Sequence, residues 1–235
     1  MRSLTLELDA LPSLRDAMSA NDVDLPAAAT LAELAGVDAV RLGVNTDLKP
    51  VREEDLRDTR RAARRLELRM APLESLVRVA LDVRPDAVLL ASDRREGRTA
   101  ASPLDFRGAG GLPSILRTLE EAGIGIAALV APTLDAVKTA HAHGIDQVEL
   151  YTGALVDLPA NERRNALKQL GDAARLASKL GLGLGLAGGL GYRTLVEVVQ
   201  AAPAAERIAI GRAALTRAML VGLDRALRDM QTLLT

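Results

Sequence analysis

The chain has 235 residues, of which 49% are apolar and 26% charged, and a net charge of −1, an ordinary balance for a soluble globular protein. So small a net charge offers no electrostatic footprint for nucleic acid or an anionic membrane, and neither is an expected partner. There is no cysteine, which excludes disulfides and thiolate metal sites, and no apolar run approaches the roughly 20 residues of a membrane span. Residues 1–10 carry Glu7 and Asp9 and read as a strand rather than a secretory signal. The expected setting is cytoplasmic, with no metal and no cofactor.

Strand patterns fall at 4–9, 37–44, 66–71, 87–91, 124–130, 145–151, 182–187 and 208–211. Helical patterns alternate with them at 26–35, 53–65, 73–83, 112–122, 133–143, 159–180, 192–201 and 213–233. Pro26, Pro159 and Thr133 mark helix starts, and Gly36, Gly123 and Gly144 mark ends. Residues 21–25 leave room for a short extra turn after the first strand. Eight β–α units without a linker or compositional break predict an α/β fold, a single (β/α)8 TIM barrel over residues 1–235. The connection 92–110 is longer than ordinary βα loops, polar and glycine-containing, and reads as a mobile lid.

Two apolar runs near the end stop at glycine and open into helices: 180–187 before Gly188-Gly189, and 208–210 before Gly211-Arg212. Glycine lets backbone amides approach an anion closely, and a helix N-terminus points unpaired N–H groups toward it. In the last two units of an eight-fold barrel such a pair forms a phosphate cradle. Gly188, Gly189, Gly211 and Arg212 are therefore the candidate phosphate-binding residues, with the guanidinium suited to a bidentate grip. The alternative is that these glycines serve only tight turns.

Several stretches resemble the pyridoxine 5′-phosphate synthase family. They are Leu8-Asp9 with Leu14-Arg15, Glu149-Leu150-Tyr151-Thr152-Gly153, Gly189-Leu190-Gly191-Tyr192, and Ile210-Gly211-Arg212-Ala213. Asp93-Arg94-Arg95-Glu96 with Leu104-Asp105 is similar to that family's active-site loop, and the candidate lid residues are Asp93, Arg95, Thr99, Asp105 and Phe106. The resemblance implies condensation of 1-deoxy-D-xylulose 5-phosphate with 3-amino-2-oxopropyl phosphate in vitamin B6 biosynthesis. It also implies assembly as a homo-oligomer, an octamer.

The chain departs from the family pattern where the proton chemistry resides. Where the family carries histidine, this sequence has Ala10, Gly43, Pro50, Tyr151, Gly188 and Arg212; where it carries glutamate after strand three, there is Arg69. Glu7 replaces an asparagine and Asn45 an arginine. Ring closure needs groups that both give and take protons near neutral pH, which arginine, glycine, alanine and proline do not. The expectation is a divergent homologue whose chemistry is altered or lost while phosphate-ester binding is kept. The alternative is a non-catalytic barrel that binds a phosphometabolite or serves assembly or regulation.

Alternation along the strands sends Glu7, Asp9, Arg41, Glu67, Arg69, Gln147, Glu149, Tyr151 and Arg207 into the barrel. Asp9, Glu149 and Tyr151 are the candidate proton carriers, and Glu7, Asn45, Arg69, Thr152 and Gly153 the candidate substrate contacts. Glu7 and Arg69 either pair with each other or meet the ligand. Phe106, Tyr151 and Tyr192 are the entire aromatic set and are expected on the mouth side; Tyr151 is a hydrogen-bond donor or a plug. His141 and His143 belong to a helix C-terminus at the far end of the barrel, away from chemistry.

Overall fold

A computed structural model describes residues 2–19, 22–92, 102–108, 111–156 and 158–234. Its strands are β1 (Ser3–Glu7), β2 (Ala39–Gly43), β3 (Leu66–Met70), β4 (Ala87–Leu90), β5 (Gly125–Val130), β6 (Gln147–Tyr151), β7 (Gly183–Ala187) and β8 (Arg207–Ile210). Each pairs in parallel with the next, and β8 pairs back with β1, so the sheet closes into the expected eight-stranded barrel. Around it run α1 (Ala10–Met18), α2 (Leu25–Leu34), α3 (Glu53–Ala62), α4 (Glu74–Val83) and α5 (Leu112–Glu121). The ring continues with α6 (Leu134–Ala142), α7 (Ala160–Lys179), α8 (Leu195–Ala201), α9 (Arg212–Val221) and α10 (Leu223–Thr232). Among the described residues no helix is long and apolar enough to cross a membrane.

Strand alternation explains how the charges come to share one space. In β1 the side chains of Leu4 and Leu6 point outward and are sealed beneath helices, and those of Leu42 in β2 and Leu66 and Leu68 in β3 do the same. The intervening residues Glu7, Arg41 and Glu67 stand side by side in register on the inner face. Burial between sheet and helices supplies the main apolar core, at about 25 cal/mol per Å² removed from water. A smaller apolar cluster of Leu89, Ala91, Ala127, Leu129, Ala187 and Ala209 lines the rest of the interior. Its four alanines leave volume for long arginine and glutamate side chains opposite.

Caps agree with the sequence at α2 and α6. Asp24 accepts a hydrogen bond from the Ala27 amide at 2.8 Å, and Thr133 Oγ1 accepts one from Ala136 at 3.2 Å. Two helical expectations need correction. The extra turn placed at 21–25 is instead the nine-residue α1, beginning directly after β1. Pro12 is tolerated in its first turn because the missing N–H has no partner there. Buried Arg15 anchors it to Asp55 (2.7 Å) and to the Pro50 carbonyl (2.8 Å). The helix expected over 213–233 is two, broken at Gly222, whose φ of +84° lies outside helical space. The break lets α10 fold back along α9 and bury Ala226, Leu227 and Met230.

Leu227 is fully buried beneath that fold-back. Leu227→Ala is expected to cost about 2–5 kcal/mol in urea denaturation, with the midpoint falling while the far-ultraviolet dichroism of the folded state is kept.

Candidate functional site

At the middle of the barrel a single guanidinium joins four strands. Arg41 on β2 is 2% exposed. Its Nη2 lies 2.7 Å from Glu67 Oε2 on β3 and 2.6 Å from Glu149 Oε1 on β6. Nη1 reaches Glu149 Oε2 at 2.8 Å and Glu7 Oε1 on β1 at 3.5 Å, and Nε donates to Glu67 at 3.1 Å. Both Glu149 oxygens are thus taken up by one arginine, the bidentate arrangement that planar guanidinium favours. Burial alone would pull the Arg41 proton off more easily, but the fields of Glu149 and Glu67 outweigh it and hold that proton well above the ordinary arginine range. Burial likewise opposes the Glu67 charge, and Arg41 more than compensates, so the Glu67 carboxyl is held below its usual value.

One layer nearer the C-terminal strand ends, Arg69 on β3 does the same for β1. Its Nη2 lies 2.5 Å from Asp9 Oδ2 and its Nη1 3.2 Å from Glu7 Oε1. Asp9 Oδ1 accepts the Gly43 amide at 2.6 Å, so both Asp9 oxygens are engaged. Burial acts against the Arg69 charge, but Asp9 and Glu7 outweigh it and raise its pKa. The sequence marks Gly43 only as a departure from the family's histidine; its structural role is to leave space for this pair. A Cβ there would sit 2.5 Å from Arg69 Nη2 and 2.9 Å from Asp9 Oδ2, so any other side chain would expel the guanidinium. The available signal was a glycine on the inner face of β2, in register with Arg69.

The rim comes from β6, β7 and β8. The half-buried Tyr151 ring stands over Gly188, where φ is +92° and a Cβ would lie 2.6 Å from Cε2. Buried Thr152 donates its hydroxyl to the carbonyls of Gly188 (2.5 Å) and Ala187 (3.2 Å), and Gly153 packs beneath the Tyr151 phenol. Gly211 is the N-cap of α9 and no side chain caps that helix; Arg212, its first residue, is exposed. A Cβ on Gly191 would touch Ala213 at 3.1 Å, so the loop following Gly188-Gly189 and the start of α9 are neighbours. The structure therefore gathers Glu7, Asp9, Arg69, Tyr151, Thr152, Gly188 and Gly211 at one end of the barrel.

Other expected residues lie elsewhere or are otherwise occupied. Asn45 donates to the Lys49 carbonyl at 2.6 Å and pins the turn after β2. Gln147 and Arg207 share the inner face but sit at the N-terminal strand ends, bonded to each other at 2.5 Å. Tyr192, expected at the mouth, instead donates to the Ala226 carbonyl at 2.8 Å beneath the Arg217 guanidinium, 5.0 Å from its ring. It holds α10 in place. Phe106, also expected there, packs 5.1 Å from His143, the C-cap of α6, in the outer helix ring. Asp105 accepts the Arg107 amide and donates its own to Ser92, whose backbone bridges Ser102 at the base of the loop. Asp93, Arg95 and Thr99 lie outside the described residues. Both histidines are exposed at the far end of α6, and no acidic or histidine cluster suited to a metal occurs among the described residues.

Removing Arg41 would leave Glu67 and Glu149 buried without a counter-charge. Arg41→Met is expected to lower stability by about 3–5 kcal/mol at pH 7. The signs with pH are opposite in the two proteins. In the parent, Glu67 has a lowered pKa, so its contribution is full above the unfolded value and is lost as pH falls through the lower folded one. In the variant the unpaired carboxyls are raised, so the deficit grows with rising pH and shrinks toward about pH 5. Thermal melts from pH 7 to about 5 check the variant's slope, and melts below about pH 4.3, the ordinary glutamate value, check the parent's.

The profile of the family described as "Pyridoxal phosphate biosynthesis protein PdxJ" matches residues 4–235. The pyridoxine 5′-phosphate synthase of Geobacter metallireducens is 35% identical over 237 residues, covering 100% of this chain and 99% of its own. That of Geotalea daltonii is 34% identical over 98% of this chain and 97% of its own. Among solved structures, a mutant tryptophan synthase alpha-subunit from Pyrococcus furiosus superposes with a TM-score of 0.66 at 17% identity, over 99% of this chain and 100% of that one. Thiamine phosphate pyrophosphorylase from the same organism gives 0.62 at 16%, over 98% and 94%. Those two likenesses establish the barrel and nothing beyond it. Coverage from end to end, at about a third identity, means that this chain belongs to the pyridoxal phosphate biosynthesis protein PdxJ family.

Proposed function

We propose that this chain is a divergent member of its family, one that keeps a phosphate-ester site at the barrel mouth while the condensation chemistry of the pyridoxine 5′-phosphate synthases is altered or lost. The relatives are named for vitamin B6 biosynthesis, and that pathway is the setting in which the ligand is to be sought. The observation that carries the reading is the Arg69 guanidinium lodged between Glu7 and Asp9, in space that Gly43 leaves open. At positions 7, 43 and 69 the resemblance expects asparagine, histidine and glutamate. Here the three differ together, and the replacements fit one another in charge and volume. On this reading a proton-transferring pair has been exchanged for an ion network.

What remains cannot shuttle protons in the same way. Glu149 has both oxygens held by Arg41, and Asp9 has both engaged. Tyr151, half-buried at the rim, is left as the candidate proton donor toward a ligand. The glycine turn at Gly188-Gly189 and the uncapped start of α9 at Gly211 and Arg212 keep the features that suit a phosphate ester. The second reading, a non-catalytic binding or assembly barrel, differs only in whether Tyr151 acts. It is favoured by the absence of any histidine at the mouth. Homo-oligomeric assembly in the cytoplasm belongs to either reading; exposed Met219 and Leu220 on α9 are apolar surface that a second copy would cover.

Incubation with 1-deoxy-D-xylulose 5-phosphate and 3-amino-2-oxopropyl phosphate is expected to yield no pyridoxine 5′-phosphate above background by mass spectrometry. Sustained turnover at the rate of a pyridoxine 5′-phosphate synthase would overturn the proposal. Arg212→Ala is expected to weaken phosphate-ester binding about tenfold in calorimetry, the size of one charge-assisted contact. Unchanged affinity removes Arg212 from the site.

A further inference from the structure

Of the interior carboxylates, Glu7 is the least firmly held. Its Oε1 takes the longer contacts of two guanidiniums, 3.2 Å from Arg69 and 3.5 Å from Arg41. The shorter contacts of those arginines go to Asp9, Glu67 and Glu149. Its side chain is 21% exposed, against 11% for Asp9 and 3% for Glu149. No donor among the described residues reaches Glu7 Oε2. That oxygen instead lies 3.4 Å from where a Cβ on Gly211 would stand, beside the uncapped start of α9. A carboxylate oxygen thus faces the helix end to which the phosphate-ester reading assigns the ligand.

We infer that Glu7 sets the charge specificity of this mouth: an anion docking against Gly211 and Arg212 binds together with a proton taken up by the Glu7 carboxyl. The inference rests on the phosphate-ester reading above and specifies how that site is regulated. The groups facing Glu7 are Arg41 from β2, Arg69 from β3 and the Gly211 backbone at the start of α9, with Asp9 on the far contact of Arg69. Glu67 and Glu149 lie beyond Arg41. Arg41 is saturated by Glu67 and Glu149, so Glu7, Asp9 and Arg69 together carry one net negative charge at the floor of the mouth. A dianion brought there is repelled by Glu7, and like charges at short range favour the neutral carboxyl. One proton from solvent joins Oε2, no bond breaks, and the new O–H turns from repelling the anion to donating a hydrogen bond to it. Oε1 continues to accept from Arg69. The site accordingly prefers, near neutral pH, a phosphate ester that brings its own proton over a fixed dianion.

Sulfate is the suitable probe because its charge is constant across the working range. Calorimetry on the full chain at pH 5.5 and 8, in two buffers of different ionisation enthalpy, reads affinity and proton uptake together. The parent protein is expected to bind sulfate about tenfold more tightly at pH 5.5 than at pH 8 and to take up protons as it binds. Glu7→Gln keeps an oxygen for Arg69. It is expected to bind at pH 8 about tenfold more tightly than the parent, without uptake. Binding without uptake in the parent protein overturns the role of Glu7 whether or not the variant folds, and so does uptake that persists in Glu7→Gln and marks Asp9 as the acceptor. Failure of both proteins to bind sulfate, phosphate or a sugar phosphate at either pH overturns the phosphate-ester site itself.

Discussion

Arg41 is the contact on which the interior depends. Its guanidinium lies at the middle of a closed sheet and reaches carboxylates on β1, β3 and β6 as well as belonging to β2. An unpaired charge at that depth would be costly, and removal of one partner leaves the others stranded. The network is therefore all-or-none in character. Small residues on β5, β7 and β8 follow from it, because the volume is already claimed by long charged side chains. Gly185, for instance, faces Glu149 so closely that a Cβ would stand 2.9 Å from its Cγ.

The same network determines what the mouth can do. A family whose named relatives are pyridoxine 5′-phosphate synthases carries here, in the barrel interior toward the C-terminal strand ends, a cluster of two arginines and four carboxylates. Arginine stays charged at any working pH, so Arg41 and Arg69 do not suit the giving and taking of protons. What such a cluster does well is to place fixed charge. Arg69 and Asp9 neutralise one another, Glu7 remains partly open toward α9, and no side chain caps the start of that helix.

Much of this was legible in the chain. Alternation placed Glu7, Arg41, Glu67, Arg69 and Glu149 on one face because strand side chains have a period of two and the outward positions are uniformly aliphatic. The two glycine turns near the end were visible as apolar runs halted by glycine. Less legible were contacts between residues far apart in sequence. Nothing local tells that Tyr192 turns away to hold α10, or that Phe106 meets His143 in the helix ring. Nor does local pattern show that Gly43 exists to make room for Arg69, since that demand arises across two strands.

The sequence by itself determined the eight-fold β–α order, the inner-facing charges and the glycine-ended last two units, since periodicity, turn chemistry and helix signals are short-range properties of the chain. Tertiary structure alone decided which arginine meets which carboxylate, that Glu149 is sealed by Arg41, and that Glu7 looks toward the start of α9. Those pairings follow from the register of a closed barrel. Closure brings β1 beside β8, and sets side chains from β2 and β6 face to face across a shared interior.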